Sequence, residues 1–275
     1  MNILNGDIEK RIQNEIIKPV LSQKYDLAIR NIPGMQIALH ANIPDNKRIS
    51  YGRFYTIKVL GECLYDQLAA IDAPVLRIGT NLLRNSEDFI VKSVSLGMLS
   101  LYGVESHGHF RQVLPHFKSA AAFDHWEVRE CAASFFQKLI NEYPAEAKEY
   151  LLKLVKSDDP NIRRFVSETL RPVNRNQWFY KNPDYPLTIL RNLFKESSPY
   201  PRTSVGNNLS DLARRLPDLV YDLVEELVNN GDKNSYWIAY RACRNLVKKE
   251  PIKVMNLLKV DEYKYKKRIH KRSDY

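Results

Sequence analysis

The junction DDPNIRRFVS, at residues 158–167, decides the fold because stretches of the same design recur along the chain. Each has an acidic residue or a serine, a bend, an aliphatic residue or proline, and then a basic residue that opens an amphipathic helix. The other copies are SEDFIVKSVS at 86–95, FDHWEVRECA at 123–132 and SSPYPRTSVG at 197–206. Their basic residues are spaced by 37, 34 and 39 positions: Lys92, Arg129, Arg163 and Arg202. A period of this length is typical of repeats that each consist of two packed helices.

Between these junctions the apolar residues follow a helical period. AEAKEYLLKLVKSD, from Ala145, and PDLVYDLVEELVNNGD, from Pro217, place apolar residues at i, i+3, i+4 and i+7. Glycine, which many tight turns require, accounts for only 10 of 275 residues. We therefore predict an all-α fold, an α-solenoid of HEAT-like antiparallel helix pairs that winds into an α-α superhelix. The pairs are expected at about residues 7–31, 48–70, 73–104, 108–143, 145–173, 183–216 and 217–248.

The domain organisation follows from where this rhythm begins and ends. We expect a single repeat domain over residues 1–260 and a basic C-terminal tail at 261–275. The tail, DEYKYKKRIHKRSDY, carries six Lys or Arg against three acidic residues, which predicts a solvated segment, with nucleic-acid contact as the alternative. The segment RPVNRNQWFYKN, at 171–182, interrupts the repeat with a proline, several asparagines and a tryptophan.

The charge of the chain is the first indication of function. Lys and Arg number 42 against 32 Asp and Glu, a net charge of +10, and such a basic protein often meets a polyanion, usually nucleic acid. An unspecialised basic surface is the alternative. No apolar run approaches the roughly 20 residues that span a bilayer, and no secretion signal opens the chain, so we expect a cytoplasmic protein without a membrane. Three well-separated cysteines, Cys63, Cys131 and Cys243, are expected to be buried thiols.

The recurring basic residues have two interpretations. A cation in the first turn of a helix is unfavourable for the helix dipole, so some other interaction must favour it there. One interpretation is a ladder of Asp–Arg pairs between neighbouring repeats, with the junction aspartate also capping the helix. The other is a row of cations on the concave face that contacts nucleic-acid phosphates. The sequence leaves both open.

Three blocks in the C-terminal half are more specific than a helical repeat. They are IRRFVSETLRP at 162–172, followed by Trp178; PRTSVGNNLSDLARRLPDLV at 201–220; and YWIAYRACRNLVKK at 236–249. Together they resemble the DNA alkylation repair family, the AlkC/AlkD-type HEAT-like alkylpurine DNA glycosylases, and more closely the AlkC branch. The resemblance covers about residues 125–250, and it is most specific in the middle block.

The resemblance implies hydrolysis of the N-glycosidic bond of alkylated, cationic purines such as 3-methyladenine and 7-methylguanine in double-stranded DNA. It implies neither a metal nor another cofactor, and a monomer is expected. Such a purine is a good leaving group, so the reaction needs a carboxylate beside the cationic sugar and an aromatic ring for the base. Asp211 is the expected carboxylate, and Asn207 lies on the same helical face at i, i+4. The alternative for Asp211 is an ion pair with Arg214 or Arg215 on a surface helix. Trp178 is the expected aromatic contact, and the alternative is a tryptophan that fills a gap between two repeats.

The remaining site residues follow the same resemblance. Glu168 is expected to hold Arg171 or Arg202 in place, and Trp237 to pack in the last repeat. The second family carboxylate aligns with Ala133, and Glu130 lies three residues earlier on the same face. Either Glu130 replaces it, or the alignment is shifted, or the second carboxylate is absent. The expected phosphate contacts are Arg129, Arg163, Arg164, Arg202 and Arg244.

Two other functions remain open at this point. One is a DNA-binding protein of the same fold without catalysis, which recognises bent or branched DNA by shape and charge. The other is a protein–protein scaffold, which predicts a large exposed apolar groove in place of a cationic one. A metal site at His107 and His109 is not expected, because such sites need three or four convergent ligands.

Overall fold

A computed structural model of the protein describes residues 3–274, with the side chains of all of these except residues 174 and 175. Contacts within the chain divide it into two compact units, Met1–Tyr143 and Pro144–Tyr275. Both are built from helices, as predicted, and the only strands among the described residues form a small hairpin near the C-terminus. Within residues 3–274, no helix combines the length and apolar character that crossing a membrane requires. Whether residues 1–260 form one repeat domain stays a prediction.

The described part of the first unit, residues 3–143, contains eight α-helices. They are α1 (Gly6–Ile12), α2 (Lys18–Leu21), α3 (Tyr25–Ala41), α4 (Arg53–Ala69), α5 (Val75–Arg84), α6 (Phe89–Val104), α7 (His107–Ala121) and α8 (Trp126–Glu142), with a π-helical turn at Gln13–Ile17 and a 3₁₀ turn at Asp45–Lys47. The predicted end of a helix near residue 31 is wrong. α3 continues through Pro33 because Ile32, Met35 and Leu39 are fully buried on its inner face.

Residues 144–274, the part of the second unit that the structure describes, contain seven α-helices and a hairpin. They are α9 (Pro144–Leu154), α10 (Pro160–Thr169), α11 (Asp184–Leu190), α12 (Pro199–Leu212), α13 (Pro217–Asn229), α14 (Lys233–Ala242), α15 (Pro251–Leu258), β1 (Glu262–Tyr265) and β2 (Arg268–Lys271), with 3₁₀ turns at Asn174–Tyr180, Arg191–Leu193 and Arg272–Asp274. The segment at 171–182, which breaks the sequence rhythm, thus contains a 3₁₀ turn between α10 and α11.

Alternate helices stack in each unit. α6 packs between α4 and α8 in the first unit, and α12 packs between α10 and α14 in the second. α6 is the central helix of its unit, and residues 90–100 are all buried. The stacking requires close approach at Gly206, where an added Cβ would lie 2.9 Å from the Cβ of Arg241. Glycine at this position therefore lets the side chain of Arg241 lie against α12.

Aspartates begin several of the stacked helices. The side chain of Asp88 accepts hydrogen bonds from the backbone N–H groups of Ile90 and Val91, and Asp159 and Asp232 cap α10 and α14 in the same way. These caps satisfy N–H groups that have no partner within the helix. At α12 the N-cap residue is Ser198, whose side chain makes no capping hydrogen bond. Its backbone N–H donates instead to the Glu196 carboxylate.

The basic residue in the first turn of the stacked helices donates to backbone carbonyl oxygens that precede its own helix. In the first unit, Arg129 Nη1 donates to the carbonyl oxygens of Phe123 and Asp124, both at 2.6 Å, in the connection between α7 and α8. Lys92 Nζ donates to the carbonyl oxygen of Leu83 at 3.0 Å, in the last turn of α5, where carbonyl groups lack a helical partner. The attraction explains why a cation occupies a position that its own helix disfavours.

In the second unit, Arg163 makes the same contact and adds an ion pair with the next repeat. Its Nη1 donates to the carbonyl oxygens of Ser157 and Asp158 at 2.7 and 2.9 Å. Its Nε and Nη2 donate to the two carboxylate oxygens of Glu196 at 2.6 and 3.0 Å. Arg202 continues the series, with Nη1 2.5 Å from Asn234 Oδ1. We call these four basic residues, Lys92, Arg129, Arg163 and Arg202, the repeat ladder.

The repeat ladder corresponds to the first of the two interpretations, but its chemistry differs from the expected Asp–Arg pairs. The junction aspartates cap helices, whereas carbonyl oxygens, Glu196 and Asn234 receive the cations. A sequence pattern places an aspartate and a basic residue near each other, and it does not show which acceptor the long side chain reaches. The folded neighbour decides that.

The C-terminal segment forms a hairpin, which its composition does not predict. β1 and β2 pair antiparallel, with Tyr265 opposite Arg268 and a two-residue turn, Lys266–Lys267, between them. Tyr263 of β1 is fully buried, and its ring stacks on Tyr240 of α14 with centroids 4.4 Å apart. Burial of one large aromatic ring fixes the hairpin to the second unit, although most of its other residues are exposed.

The ion pair between Arg163 and Glu196 should stabilise the second unit in a pH-dependent way. Burial alone would raise the pKa of Glu196, but hydrogen bonds from Arg163 and from the Ser198 backbone outweigh it, and the net pKa is lowered. A lowered folded pKa contributes stability that is complete above the unfolded value of roughly 4.3 and is lost as the pH falls through the folded value.

We therefore expect Glu196→Gln to lower the free energy of unfolding by about 3 kcal/mol at pH 7, the lower end of the range for a buried pair, since Arg163 is partly exposed. Urea denaturation between pH 3 and 7 measures it. The difference from the wild type should shrink as the pH falls below roughly 4. A difference that is constant over this range would contradict the assignment.

Candidate nucleic-acid interface

The predicted carboxylate, Asp211, lies near the C-terminal end of α12 and is only 2% exposed. Arg171 donates to its Oδ2 from Nε at 3.0 Å and also from Nη2. Arg244 and Arg214 each approach Oδ1 to 3.5 Å with Nη2. Three guanidinium groups therefore surround one buried carboxylate, which explains how its charge is accommodated away from water.

Arg171 also binds a second carboxylate, Glu168. Its Nη1 lies 3.3 Å from Glu168 Oε2, and the hydroxyl of Ser204 donates to Oε1. Arg164 Nη2 approaches the same Oε1 to 3.4 Å. Burial lowers the pKa of Arg171, but Glu168 and Asp211 raise it above its ordinary value. Glu168 thus lies beside Arg171, one of the two arginines that the sequence proposes for it, and helps to position Arg171 against Asp211.

Asn207 and Ser210 of α12 hold the arginines of the next repeat. Asn207 Oδ1 accepts from Arg241 Nε at 2.9 Å and from Arg244 Nη1 at 3.0 Å. Ser210 Oγ accepts from Arg244 Nε at 3.0 Å. Asn207 and Asp211, the predicted pair, therefore both contact the guanidinium group of Arg244. Because Arg244 is fixed from three sides, its charge has a defined place beside Asp211.

A cavity of about 200 Å³ opens beside the Asp211 carboxylate. Its lining residues are Pro172, Val173, Gln177, Tyr180, Asp211, Arg214 and Arg215. We call it the Asp211 cavity. It is smaller than the roughly 300–1,000 Å³ of common small-molecule sites, so it suits one ring system better than a whole nucleotide.

The aromatic side chain in this lining is Tyr180, which the sequence analysis did not select. Its ring carries the guanidinium of Arg215 at 4.6 Å, and its hydroxyl lies 3.4 Å from the backbone oxygen of Asp211. The run WFY at 178–180 contains three aromatic residues, and the sequence does not show which of them the short 3₁₀ turn directs toward Asp211.

Trp178 packs in an aromatic cluster and is not among the residues that line the Asp211 cavity. Its ring packs edge-on against Phe179 and Tyr185, with centroids 4.5 and 5.0 Å apart. This cluster joins the 3₁₀ turn to α11, which corresponds to a tryptophan that fills a gap between repeats. The assignment of Trp178 to the alkylated base stays a prediction.

The other predicted site residues are distributed as follows. Trp237 lies beneath two cations, with Arg202 at 4.7 Å and Arg241 at 5.5 Å from its ring centroid. Arg164 lies 4.3 Å over the ring of Tyr200. Glu130 is half-buried in α8 and belongs to the first unit, whereas Asp211 belongs to the second. A shared role of these two carboxylates stays a prediction.

Several predicted phosphate contacts are thus bound within the protein. Arg129, Arg163 and Arg202 belong to the repeat ladder, and Arg164 is held by Glu168 and Tyr200. Arg244 lies beside Asp211. Their contact with DNA stays a prediction, and for the ladder residues it requires exchange of an internal partner for a phosphate.

A larger cavity, of about 670 Å³, lies between the C-terminal hairpin and the end of α14. Its lining residues are Arg214, Arg244, Asn245, Val247, Lys248, Tyr263, Tyr265, Lys266, Lys267, Arg268 and His270. We call it the hairpin cavity. Burial alone would raise the pKa of Tyr265, but a hydrogen bond from Arg244 and the charge of Arg241 outweigh it and lower that pKa. The lowered pKa reflects a positive electrostatic environment.

Comparison with solved structures identifies the fold class. The chain resembles the alkylpurine DNA glycosylase AlkC of Pseudomonas fluorescens, solved bound to DNA containing an abasic site analog, with a TM-score of 0.59 and 20% identity over 92% of this chain and 66% of that one. It resembles AlkD2 from Streptococcus mutans with a TM-score of 0.53 and 22% identity over 66% of this chain and 87% of that one. The protein therefore has the HEAT-like fold of the AlkC/AlkD type.

The curated relative adds no function. The chain is 28% identical over 173 residues to the uncharacterized protein YhaZ of Bacillus subtilis (strain 168), and the alignment covers 53% of this chain and 48% of that protein. The chain thus matches about half the length of this relative. No protein-family model matches the chain. A closer relation to the AlkC branch stays a prediction.

The arginine shared by Glu168 and Asp211 should be essential for stability. Arg171→Met removes the bridge and leaves two buried carboxylates short of a partner, so we expect a loss of about 3 kcal/mol in the free energy of unfolding. The matched control is Arg191→Met, which removes an exposed pair with Glu226 and should cost less than about 1 kcal/mol. Urea denaturation compares the two variants, and equal losses would contradict a buried network.

Proposed function

We propose that the protein binds duplex DNA and hydrolyses the N-glycosidic bond of alkylated, cationic purines. The observation that carries the proposal is Asp211, a buried carboxylate at the edge of a small cavity lined by Tyr180 and arginines. The likeness in fold to the alkylpurine DNA glycosylase AlkC supports it. A cytoplasmic, monomeric enzyme that acts without a metal or other cofactor remains part of the proposal.

The chemistry assigns separate tasks to these residues. An N3- or N7-alkylated purine is cationic and leaves without a proton from the protein. The sugar then develops positive charge, which the Asp211 carboxylate stabilises while it positions the attacking water. The aromatic face of Tyr180, or of Trp178 after rearrangement, attracts the cationic base by a contact worth about 0.5–2 kcal/mol. Arginines around the cavity hold the flanking phosphates.

The arginines around Asp211 constrain this mechanism. Arg171 is tightly bound to both carboxylates, whereas Arg214 is 61% exposed in its side chain and approaches Asp211 only to 3.5 Å. A DNA phosphate competes with Asp211 for Arg214, because each arginine fork prefers two anionic oxygens. Departure of Arg214 leaves a more negative carboxylate at the moment when a cationic sugar is bound.

Asp211→Asn should slow base release by about 10²–10³-fold, because it removes the charge that faces the developing cation. Single-turnover release of 3-methyladenine and 7-methylguanine from methylated duplex DNA measures this. Asp222→Asn, at an exposed position on α13, is the matched control and should release bases at the wild-type rate. DNA affinity and the thermal unfolding midpoint of Asp211→Asn establish that it is folded.

A second measurement avoids the risk that Asp211→Asn destabilises the fold. Tyr180→Ala changes the lining of the Asp211 cavity and should slow release by about 2- to 30-fold, the equivalent of a lost cation–π contact. Trp178→Phe should have a smaller effect because Trp178 packs against Phe179 and Tyr185. Wild-type rates for both Asp211→Asn and Tyr180→Ala would exclude this site as the place of catalysis.

The second candidate is a DNA-binding protein without catalysis, which recognises the shape of bent or branched DNA. The observation that favours it is the set of three guanidinium groups around Asp211, because a carboxylate so strongly neutralised attracts a cationic sugar less. This candidate expects duplex affinity that falls steeply with salt, by about 0.9 in log–log slope for each neutralised phosphate. Binding without any base release by the wild type selects it over the enzyme.

A further inference from the structure

The hairpin cavity is lined by cations from two parts of the second unit. Arg214, Arg244 and Lys248 come from the helical repeats, and the hairpin adds Lys266, Lys267 and Arg268. Among the described residues that line it, none is acidic. Asn245, Val247 and the two tyrosines of β1 are also part of the lining. A cavity of about 670 Å³ with this lining accommodates an anion larger than a simple ion.

The hairpin presents its cations from a fixed position. The Tyr263 hydroxyl donates to the backbone oxygen of Tyr240 at 2.9 Å. The backbone N–H of Lys264 donates to the Tyr240 hydroxyl at 2.6 Å. The Tyr240 hydroxyl also donates to the backbone oxygen of Lys264 at 3.1 Å, so strand β1 is attached to α14 by a buried ring and three hydrogen bonds. The three basic residues at the turn project from a structured element, so binding there does not have to order a free tail.

The turn itself carries a second indication. Lys266 has φ of 56°, in the left-handed region, at a two-residue turn where glycine, asparagine or aspartate is the usual choice. A lysine here loses local backbone stability relative to glycine. The turn therefore keeps a lysine at an unfavourable backbone position, next to two further cations. This favours a function for its charge.

The hairpin cavity is connected to the Asp211 cavity through its arginines. Arg214 lines both cavities, and Arg244 lines the hairpin cavity while it approaches Asp211 to 3.5 Å. An anion in the hairpin cavity therefore acts on the same guanidinium groups that neutralise Asp211. One set of side chains thus borders a small cavity beside a carboxylate and a larger cationic cavity.

We infer that the hairpin cavity binds backbone phosphates of the DNA strand whose base occupies the Asp211 cavity, and that this binding draws Arg214 away from Asp211. The inference rests on the DNA partner of the proposed function and adds a site and a coupling to it. The Asp211 carboxylate therefore loses a neighbouring cation only while a DNA strand is bound. The C-terminal hairpin is a phosphate-binding element of the protein, and its cations are positioned by the burial of Tyr263.

The first test removes the hairpin charges. The triple variant Lys266→Ala, Lys267→Ala, Arg268→Ala is compared with Lys153→Ala, Lys156→Ala, Lys195→Ala, which removes three exposed lysines of the same unit that do not line the cavity. Fluorescence anisotropy with a duplex that carries one abasic-site analogue gives the affinity over a series of salt concentrations. The salt slope of the hairpin variant should be less steep by about 2.7, from 0.9 for each lost phosphate contact. The control should keep the wild-type slope.

The second test separates charge from backbone structure. Lys266→Gly relieves the left-handed backbone and should raise the thermal unfolding midpoint, since glycine adopts that region without a steric cost. The same change removes a cation and should weaken DNA binding. If the turn had a purely structural role, the unfolding midpoint and the DNA affinity would change in the same direction. Affinity that is unchanged or improved in Lys266→Gly would count against the inference.

The third test locates the phosphates that the hairpin contacts relative to the nucleotide at the Asp211 cavity. Methylphosphonate substitution removes the charge of one phosphate at a time on either side of the abasic-site analogue. The wild type should lose affinity at two or three adjacent phosphates, and the hairpin variant should lose its sensitivity at those same phosphates. Sensitivity retained at every position in the hairpin variant would overturn the inference.

The outcomes distinguish this inference from the proposed function. If the wild type releases no base but the hairpin variant has a less steep salt slope than the wild type, the catalytic proposal fails and the phosphate site stands. If the hairpin variant and its control have equal slopes, the phosphate site is wrong whatever the rate of base release.

Inorganic pyrophosphate provides a further test. Thermal stabilisation of the wild type by pyrophosphate, lost in the hairpin variant while duplex affinity is unchanged, identifies a free-polyphosphate site and overturns the DNA assignment.

Discussion

Asp211 is a buried carboxylate, and its need for cations organises much of the second unit. An ionised group away from water is tolerated only when it is paired and hydrogen-bonded. Arg171 reaches it from the end of α10, Arg244 from the turn after α14, and Arg214 from the turn after α12. Three consecutive repeats are thereby connected through one side chain. Glu168 and Asn207 then serve this arrangement because they fix the arginines in turn.

The same principle operates on a smaller scale at each repeat junction. A cation in the first turn is unfavourable for its own helix, yet it binds backbone carbonyl oxygens that precede that helix. Arg129 and Arg163 make nearly the same contact in different units, to carbonyl oxygens five and six residues earlier. The regular spacing of these residues is therefore explained by helix packing. A row of basic residues in a repeat protein is not sufficient to identify a nucleic-acid surface, since internal acceptors account for it.

The cations available to a ligand lie elsewhere. Arg214 at the Asp211 cavity and the lysines of the hairpin turn are exposed and lie beside a cavity. The hairpin depends on Tyr263, whose burial against Tyr240 gives a short two-stranded element the support that it lacks alone. Charge and burial thus act together there, because the buried ring decides where the charged turn is held.

The sequence by itself determined the helical repeat, the stacked arrangement and the block that contains Asp211. Those features depend on local periodicity, on caps one to three residues away and on the spacing of Asn207 and Asp211 on one helical turn, all of which are present in a short stretch of chain. Only the tertiary structure decided that Tyr180 lines the cavity, that Arg163 binds Glu196, and that the basic C-terminus folds as a hairpin. The reason is physical. A long arginine side chain or an aromatic ring reaches across several ångströms to residues that are far away in the chain, and which acceptor it meets depends on the packing of the whole unit.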